Sequence, residues 1–324
     1  MLHRDETAGG LMTSEFLVLR AGMTAADAIA ALRQWAPSSE AVYYLFVVDR
    51  SDRLVGVVSL RSLVVAEPSR CIADIMDREV ISVHAGTDQE ECARLMQRYD
   101  LLALPVINGQ GKLQGVITVD DLVDVLQEEA TEDLQRFGGA EPLNRPYLSV
   151  GIFANVSKRV WWLLLLFVTE TFTGTVLRHF EHQLQAVVAL SFFVPLLIGT
   201  GGNAGTQTTS TIIRAMALGD IGPRDALRVW FHEVRTGLLL GAVMAVVAFV
   251  RAMTWGTTAP LGVSVGLSIM AIVVWANCVG ALLPLVATRL RIDPTVVSGP
   301  FMSTVVDATG LFLYFTIARA VLQI

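Results

Sequence analysis

Asp307 stands deep in the closing run "DPTVVSGPFMSTVVDATGLFLYFTIARAVLQI". At the centre of a membrane helix an aspartate costs about 2.5–3.5 kcal/mol on insertion scales, so it must face a partner or water. No lysine or arginine lies centrally in any apolar run of the chain; Arg235, Arg251 and Arg319 are all nearer the ends. The balancing cation is therefore expected from outside. Oxygen ligands and water suit the hard cations magnesium, calcium and manganese, and no His or Cys cluster at that depth supports a softer metal. Magnesium dehydrates reluctantly and is held through one or two carboxylates while keeping several waters. One Asp307 per chain suits that chemistry, and a symmetric dimer would bring a second to its axis. Glu170, in "FVTETFTG", is less central and reads equally as a helix contact or an interfacial group. Glu233 and Arg235, two residues apart, do not face each other on a helix, and headgroup depth accounts for both. Asn277, in "WANCVG", reads as a pore residue or as an interhelical hydrogen bond, with the latter favoured.

The second chemical feature is "PLLIGTGGNAGTQTTSTIIRAM", Pro195–Met216. Glycine, threonine and one asparagine occupy its middle. Small residues let helices approach closely, and Gly201 and Gly205 are four apart. Alternatively, non-helical backbone survives at membrane depth only inside protein or beside water. The run Gly199, Gly201, Gly202 and Asn203 exceeds what packing needs. It therefore favours a helix break lining an aqueous pore, with Asn203 and backbone carbonyls toward the ion.

These residues need helices to hold them. A membrane helix takes roughly 20 mostly apolar residues, and five runs qualify: 160–178, 185–214, 229–251, 262–288 and 296–322. Asp293 before Pro294 reads as the start of the last, an N-cap followed by proline. Lys158 and Arg159 precede the first run; Arg214, Arg224 and Arg228 surround the second connection; Arg289 and Arg291 lie in the fourth. The opposite connections, "RHFEHQ" and "RAMTWGTTAP", carry one arginine each. Positive charge inside thus places the amino terminus in the cytosol and the carboxyl terminus outside.

The first 150 residues are mixed and acidic, so the mean hydropathy of +0.55 conceals a soluble part followed by a membrane part. The opening "MLHRDETAGG" has no apolar core of a signal peptide. Cys71, Cys92 and Cys278 are scattered and odd in number, which fits a reducing cytosol. A net charge of −6 argues against nucleic acid as partner. His3, His84, His179, His182 and His232 form no catalytic set, and neither a zinc motif nor a phosphate loop is present, so the chain does not read as an enzyme.

In the soluble part, "YYLFVVDRSDRLVGVVSLRSLVVA" and "LLALPVINGQGKLQGVITVDDLVDVL" share one pattern: strand, polar turn, strand, helix. Each follows an amphipathic helix, "TAADAIAALRQW" or "TDQEECARLMQRY". Such repetition is the duplication of one small α/β unit, the pattern of tandem CBS modules. Thr118 and Asp121 match the Ser/Thr-x-x-Asp by which many such modules bind nucleotide, ATP or another adenine nucleotide among them. The first repeat has Ser59 and Ser62 and lacks the aspartate. Residues 120–133, "DDLVDVLQEEATED", hold seven acidic residues and no basic one. At 100° per residue Asp121, Asp124, Glu128 and Glu132 cluster, with Leu122, Val123, Leu126 and Ala130 opposite. Such runs are usually solvated faces, yet clustered carboxylates would also be relieved by divalent cations, which makes this helix a candidate sensor.

Together, the CBS repeats, the acidic linker and the motifs "GTGGNAGTQTTSTIIRA" and "DPTVVSGPFMSTVVDATGL" resemble the MgtE family of magnesium channels and transporters. The resemblance implies an α/β tandem CBS pair (1–66 and 67–127), an acidic linker helix (128–157) and an all-α membrane domain of five transmembrane helices (158–324). It implies a plasma-membrane homodimer importing Mg2+, with Asp307 the principal pore residue and Asn203 and Ser303 nearby. It further implies regulatory cytosolic Mg2+ at Glu90, Asp100, Asp121, Asp124, Glu129, Glu132 and Asp133, with Asp293 at the cytosolic mouth. Family members usually carry a helical acidic domain ahead of the CBS pair, and here the repeat begins almost at once; Gly299 stands where some members have asparagine. Both departures bear on regulation rather than transport. The competing reading is a membrane-tethered sensor of nucleotide or metal that carries no ions.

Overall fold

The computed structural model describes residue 4 and residues 6–35, 43–143 and 145–324; His3 and parts of the polar opening lie outside these. The chain divides into two compact units, Met1–Ala130 and Thr131–Ile324.

The first unit runs α1 (Ala8–Leu11), β1 (Val18–Arg20), α2 (Ala25–Trp35), β2 (Tyr44–Val48), β3 (Leu54–Ser59), α3 (Leu60–Val65), α4 (Ile72–Ile75), β4 (Val83–His84), α5 (Gln89–Arg98), β5 (Ala103–Ile107) and β6 (Leu113–Thr118). Helix α6 (Val119–Phe137) ends within the second unit. Two sheets form, ordered β1-β2-β3 and β4-β5-β6. In each the first pair is parallel and the second antiparallel, and each hairpin carries a register shift at its end, at Val47/Val48 and Val106/Ile107. Topology thus repeats down to the irregularity.

The two cores are built from crossed segments. Ala8, from the start of the chain, is buried with Val83, Met96, Leu104 and Ile117 of the second repeat. Its amide donates to the Thr87 carbonyl at 2.7 Å. Ile72, beyond the first repeat's helix, is buried with Leu19, Leu45 and Leu63. Two glycines make room for these crossings: a Cβ on Gly56 would lie 2.6 Å from Met76 Sδ, and one on Gly115 2.6 Å from Met12 Cγ.

The second unit consists of α7 (Ile152–His179), α8 (Glu181–Ala186), α9 (Ala189–Ala217), α10 (Ala226–Thr254), α11 (Ala259–Arg289) and α12 (Gly299–Leu322). Among the described residues four helical segments are long and apolar enough to cross a membrane: Ile152–His179, Pro223–Thr254, Ala259–Arg289 and Gly299–Leu322. Helix α9 equals them in length, with 29 residues, but its polar middle keeps it out of that set. Helix α11 is central, with half its apolar window buried, against 6% for α7, which leaves α7 with almost no cover from its own chain. The core joins Phe180, Leu190, Phe193, Ile272, Val306 and Phe315. Buried Tyr314 donates its hydroxyl to the Leu190 carbonyl at 3.0 Å.

The expected helix break does not exist: α9 is continuous through Gly199–Gly205. Gly201, Gly202 and Gly205 are used for packing instead, while Gly199 meets nothing. A Cβ on Gly201 would meet Ile272 Cγ2 at 2.5 Å, and one on Gly205 would meet Met302 Cε at 3.0 Å. On the facing helix, a Cβ on Gly280 would lie 2.8 Å from the Gly205 carbonyl oxygen. Backbones approach so closely only without side chains between them. The last helix also starts later than expected. Ser298 caps α12, accepting from the Phe301 amide at 3.3 Å, whereas Asp293 caps a separate 3-10 turn, Pro294–Val296.

Candidate functional site

Asp307 is the ninth of 24 residues in α12, about 12 Å along the helix at 1.5 Å per residue. It is half-buried. Its neighbour Val306 points into the core against α9 and α11, which turns Asp307 aside from the closest packing. No lysine or arginine forms an ion pair with it among the described residues. Glu170 is exposed on α7.

Ser303 lies one turn before Asp307, with its hydroxyl in contact with Gly202 of α9. Asn203, the next residue on α9, is exposed, as are Gly199 and Gln207 at the same four-residue spacing. Gly202, the residue before Asn203, thus packs against Ser303, with Asp307 a turn further along α12. The result is one polar strip on an apolar unit, a half-wall open to its surroundings. Among the described residues no three His, Cys, Asp or Glu side chains converge as a metal cage. A magnesium ion that keeps its waters needs no such cage.

Asn277 donates from Nδ2 to Glu233 Oε2 at 3.2 Å, the expected interhelical bond, between α11 and α10. A further such bond, unforeseen from the sequence, runs from Trp275 Nε1 to Thr309 Oγ1 at 2.8 Å.

At the end of α12 that follows the Arg289–Arg291 connection, Asp293 is fully engaged. Its Oδ1 accepts from the Thr295 amide at 2.9 Å and from Thr295 Oγ1 at 2.6 Å, and its Oδ2 is paired with Arg136. Arg136 is also paired with Glu132, one turn earlier on α6. The acidic run is therefore not without relief, contrary to expectation. The neutralising charge sits three residues past its end, and the favourable Glu-to-Arg i,i+4 spacing was available to find it.

The remaining acidic positions are dispersed. Glu90 is paired with Arg94 on α5 at 2.6 Å. Asp100 is exposed, in a left-handed conformation just past that helix (φ 51°). Asp124 and Glu128 are exposed; Glu129 accepts from Gln89 Nε2 at 2.7 Å; Asp133 is half-buried. The apolar face of α6 differs from expectation. Leu122 and Val125 are buried, while Val123 and Leu126 are exposed, because the helix leaves β6 with the 122/125 edge against the sheet.

In the first unit, Thr118 donates from Oγ1 to Asp121 Oδ2 at 2.7 Å. Both border a cavity of about 220 Å³, walled also by Phe16, Trp35 and Tyr44. Aromatic walls and a paired hydroxyl–carboxylate suit a nucleoside. In the first repeat the equivalent pair is Ser59 and Ser62, whose hydroxyls are 2.7 Å apart. Elsewhere in this unit, burial pushes the Cys92 thiol up to about 11, with Asp88 and Glu91 adding to it. That leaves the thiol protonated and unreactive.

A family model described as "MgtE: Divalent cation transporter" matches residues 194–317, and the CBS domain model matches 8–68 and 72–128. A Thermus thermophilus protein named magnesium transporter MgtE is 44% identical over 321 residues, which are 99% of this chain and 71% of that one. The Enterococcus faecalis protein of the same name is 38% identical over 319 residues, 98% and 70% of the two chains. A crystal structure of the soluble part of a magnesium transporter is 46% identical, with a TM-score of 0.39, covering 40% of this chain and 50% of that one.

Proposed function

The chain belongs to the MgtE family of magnesium transporters, and from that premise we propose that Mg2+ passes along the strip formed by Asn203, Ser303 and Asp307. The protein is a membrane transporter with a CBS regulatory region, not an enzyme. The observation that carries the path is Asp307 itself: a half-buried carboxylate a third of the way along an apolar helix, with no basic partner among the described residues. A hydrated divalent ion supplies the missing charge and satisfies the oxygens through its waters.

One copy provides only a half-wall. A homodimer places two strips face to face and covers the exposed flanks of α7, which supports the two-copy assembly. Helix α9 is then the fifth span, its polar residues facing the path rather than lipid. Residues 158–324 form the pore domain, set in the plasma membrane with the amino terminus cytosolic and the carboxyl terminus outside, and residues 128–157 form the linker. Cytosolic Mg2+ acts on the acidic positions of the CBS pair and α6, from Glu90 and Asp100 through Asp121, Asp124, Glu129, Glu132 and Asp133 to Asp293. ATP or another adenine nucleotide occupies the cavity at Thr118 and Asp121. The test is Mg2+ uptake into proteoliposomes containing this chain alone, with calcium and cobalt as competitors. Potential-driven uptake supports the path. No uptake at either low or high internal Mg2+ would leave the tethered-sensor reading.

A further inference from the structure

Arg136 and Phe137 fasten the end of α6 to the approach and start of α12, and Gly139 just beyond seats it against α7. Arg136 reaches Asp293 with one guanidinium nitrogen and Glu132 with the other. The ring of Phe137 lies against Gly299, the first residue of α12. Gly139, at φ 75°, admits the Trp162 indole where a Cβ would come within 2.5 Å of it. Asp293 is held rigid for this contact by the amide and hydroxyl of Thr295, a residue only 2% exposed. The guanidinium is a planar fork matched to carboxylates, and here it binds two of them at once.

Two carboxylates sharing one cation is also a donor pair through which Mg2+ is held, its waters completing the octahedron. We propose that Arg136 is a tethered cation occupying the place where cytosolic Mg2+ would bridge Glu132 and Asp293, so that it sets the Mg2+ concentration at which the linker helix grips the mouth of α12. The inference rests on the reading of Glu132 and Asp293 as regulatory magnesium positions. Its physical content is competition. With Arg136 present, the junction is held without metal, and Mg2+ must displace a charge that is always at hand. Without it, Glu132 and Asp293 face each other uncompensated. The junction then loosens in the absence of metal and binds Mg2+ more readily when metal is supplied.

The experiment compares wild type, Arg136→Gln and Arg136→Lys as full-length protein, with two readouts. Hydrogen exchange across residues 131–140 in EDTA reports the metal-free junction; inhibition of uptake by Mg2+ on the cytosolic side reports its metal affinity. Arg136→Gln is expected to exchange roughly three- to tenfold faster, the scale of one partly exposed charge-assisted contact. Its inhibition midpoint is expected to fall by a similar factor. Arg136→Lys keeps the charge but not the fork and should lie between the two. A midpoint that stays put or rises would overturn the proposal, as would unchanged exchange. A purely structural role would raise exchange and the midpoint together. A wild type indifferent to cytosolic Mg2+ would overturn the regulatory reading, and this inference with it; a responsive wild type matched by Arg136→Gln would overturn this inference alone.

Discussion

Gly201→Ala and Gly199→Ala, two residues apart on α9, are expected to have opposite effects on stability. A methyl at Gly201 would lie 2.5 Å from Ile272 Cγ2 and 2.8 Å from Val306 Cγ1, both in the buried core. Neither β-branched side chain can rotate away freely, so the helices must part. Overpacking of this kind costs about 1–3 kcal/mol. A methyl at Gly199 meets nothing within 4 Å, and alanine is favoured over glycine in a helix interior by about 1 kcal/mol. In a domain of this size each kcal/mol moves Tm by roughly 2–4 °C. Tryptophan fluorescence of the detergent-solubilised protein on heating should therefore give a Gly201→Ala Tm roughly 2–12 °C below wild type and a Gly199→Ala Tm at or slightly above it. Gly280→Ala should fall at least as far as Gly201→Ala, because its methyl meets a backbone oxygen, Gly205 O, at 2.8 Å. Equal losses at Gly199 and Gly201 would refute the packing account and return the segment to a strained, conformationally special backbone.

In the first unit, the raised Cys92 thiol makes stability fall with alkali. The folded thiol stays protonated to about pH 11 while the unfolded one ionises in the ordinary range. The contribution is thus complete below the ordinary thiol range and is lost as pH rises toward 11, by about 2–3 kcal/mol for two pH units; denaturant melts of the soluble unit at pH 8 and pH 10.5 measure it, and Cys92→Ala should flatten the difference. At the cavity, Asp121→Ala removes the acceptor of the Thr118 hydroxyl and should weaken adenine-nucleotide binding roughly tenfold, read by calorimetry, with Ser62→Ala unchanged. Asn277→Ala leaves Glu233 without its donor and should cost about 1–3 kcal/mol, seen as a lower Tm in detergent.

The repeats were legible because a small sheet with one covered face must alternate its residues and punctuate them with turns, as "DRSD" and "NGQG" do. What the repeats could not disclose is the crossing of Ala8 and Ile72 into the opposite cores, since such contacts leave no periodic signal. Asp307 as a carboxylate needing a partner, and Asn277 as an interhelical donor, were readable from the cost of polarity in lipid; Asn277's partner Glu233, read as a headgroup-depth residue, was not. The glycine segment misled because the same composition serves a broken helix and a tightly packed one. Which of the two applies depends on Ile272, Val306 and Met302, residues on other helices. Arg136 was overlooked for a related reason. Its i,i+4 partner Glu132 is local, but Asp293 is 157 residues away.

The central claim is that Asp307 carries the charge of the ion path. The direct measurement is potential-driven Mg2+ uptake into proteoliposomes by wild type and by Asp307→Asn, which keeps the side chain's size and removes its charge, each first shown to be folded with the oligomeric state of wild type. Uptake by Asp307→Asn is expected to fall by at least about tenfold, the equivalent of 1.4 kcal/mol in ion binding, with Glu170→Gln affected less. Undiminished uptake by Asp307→Asn would contradict the claim.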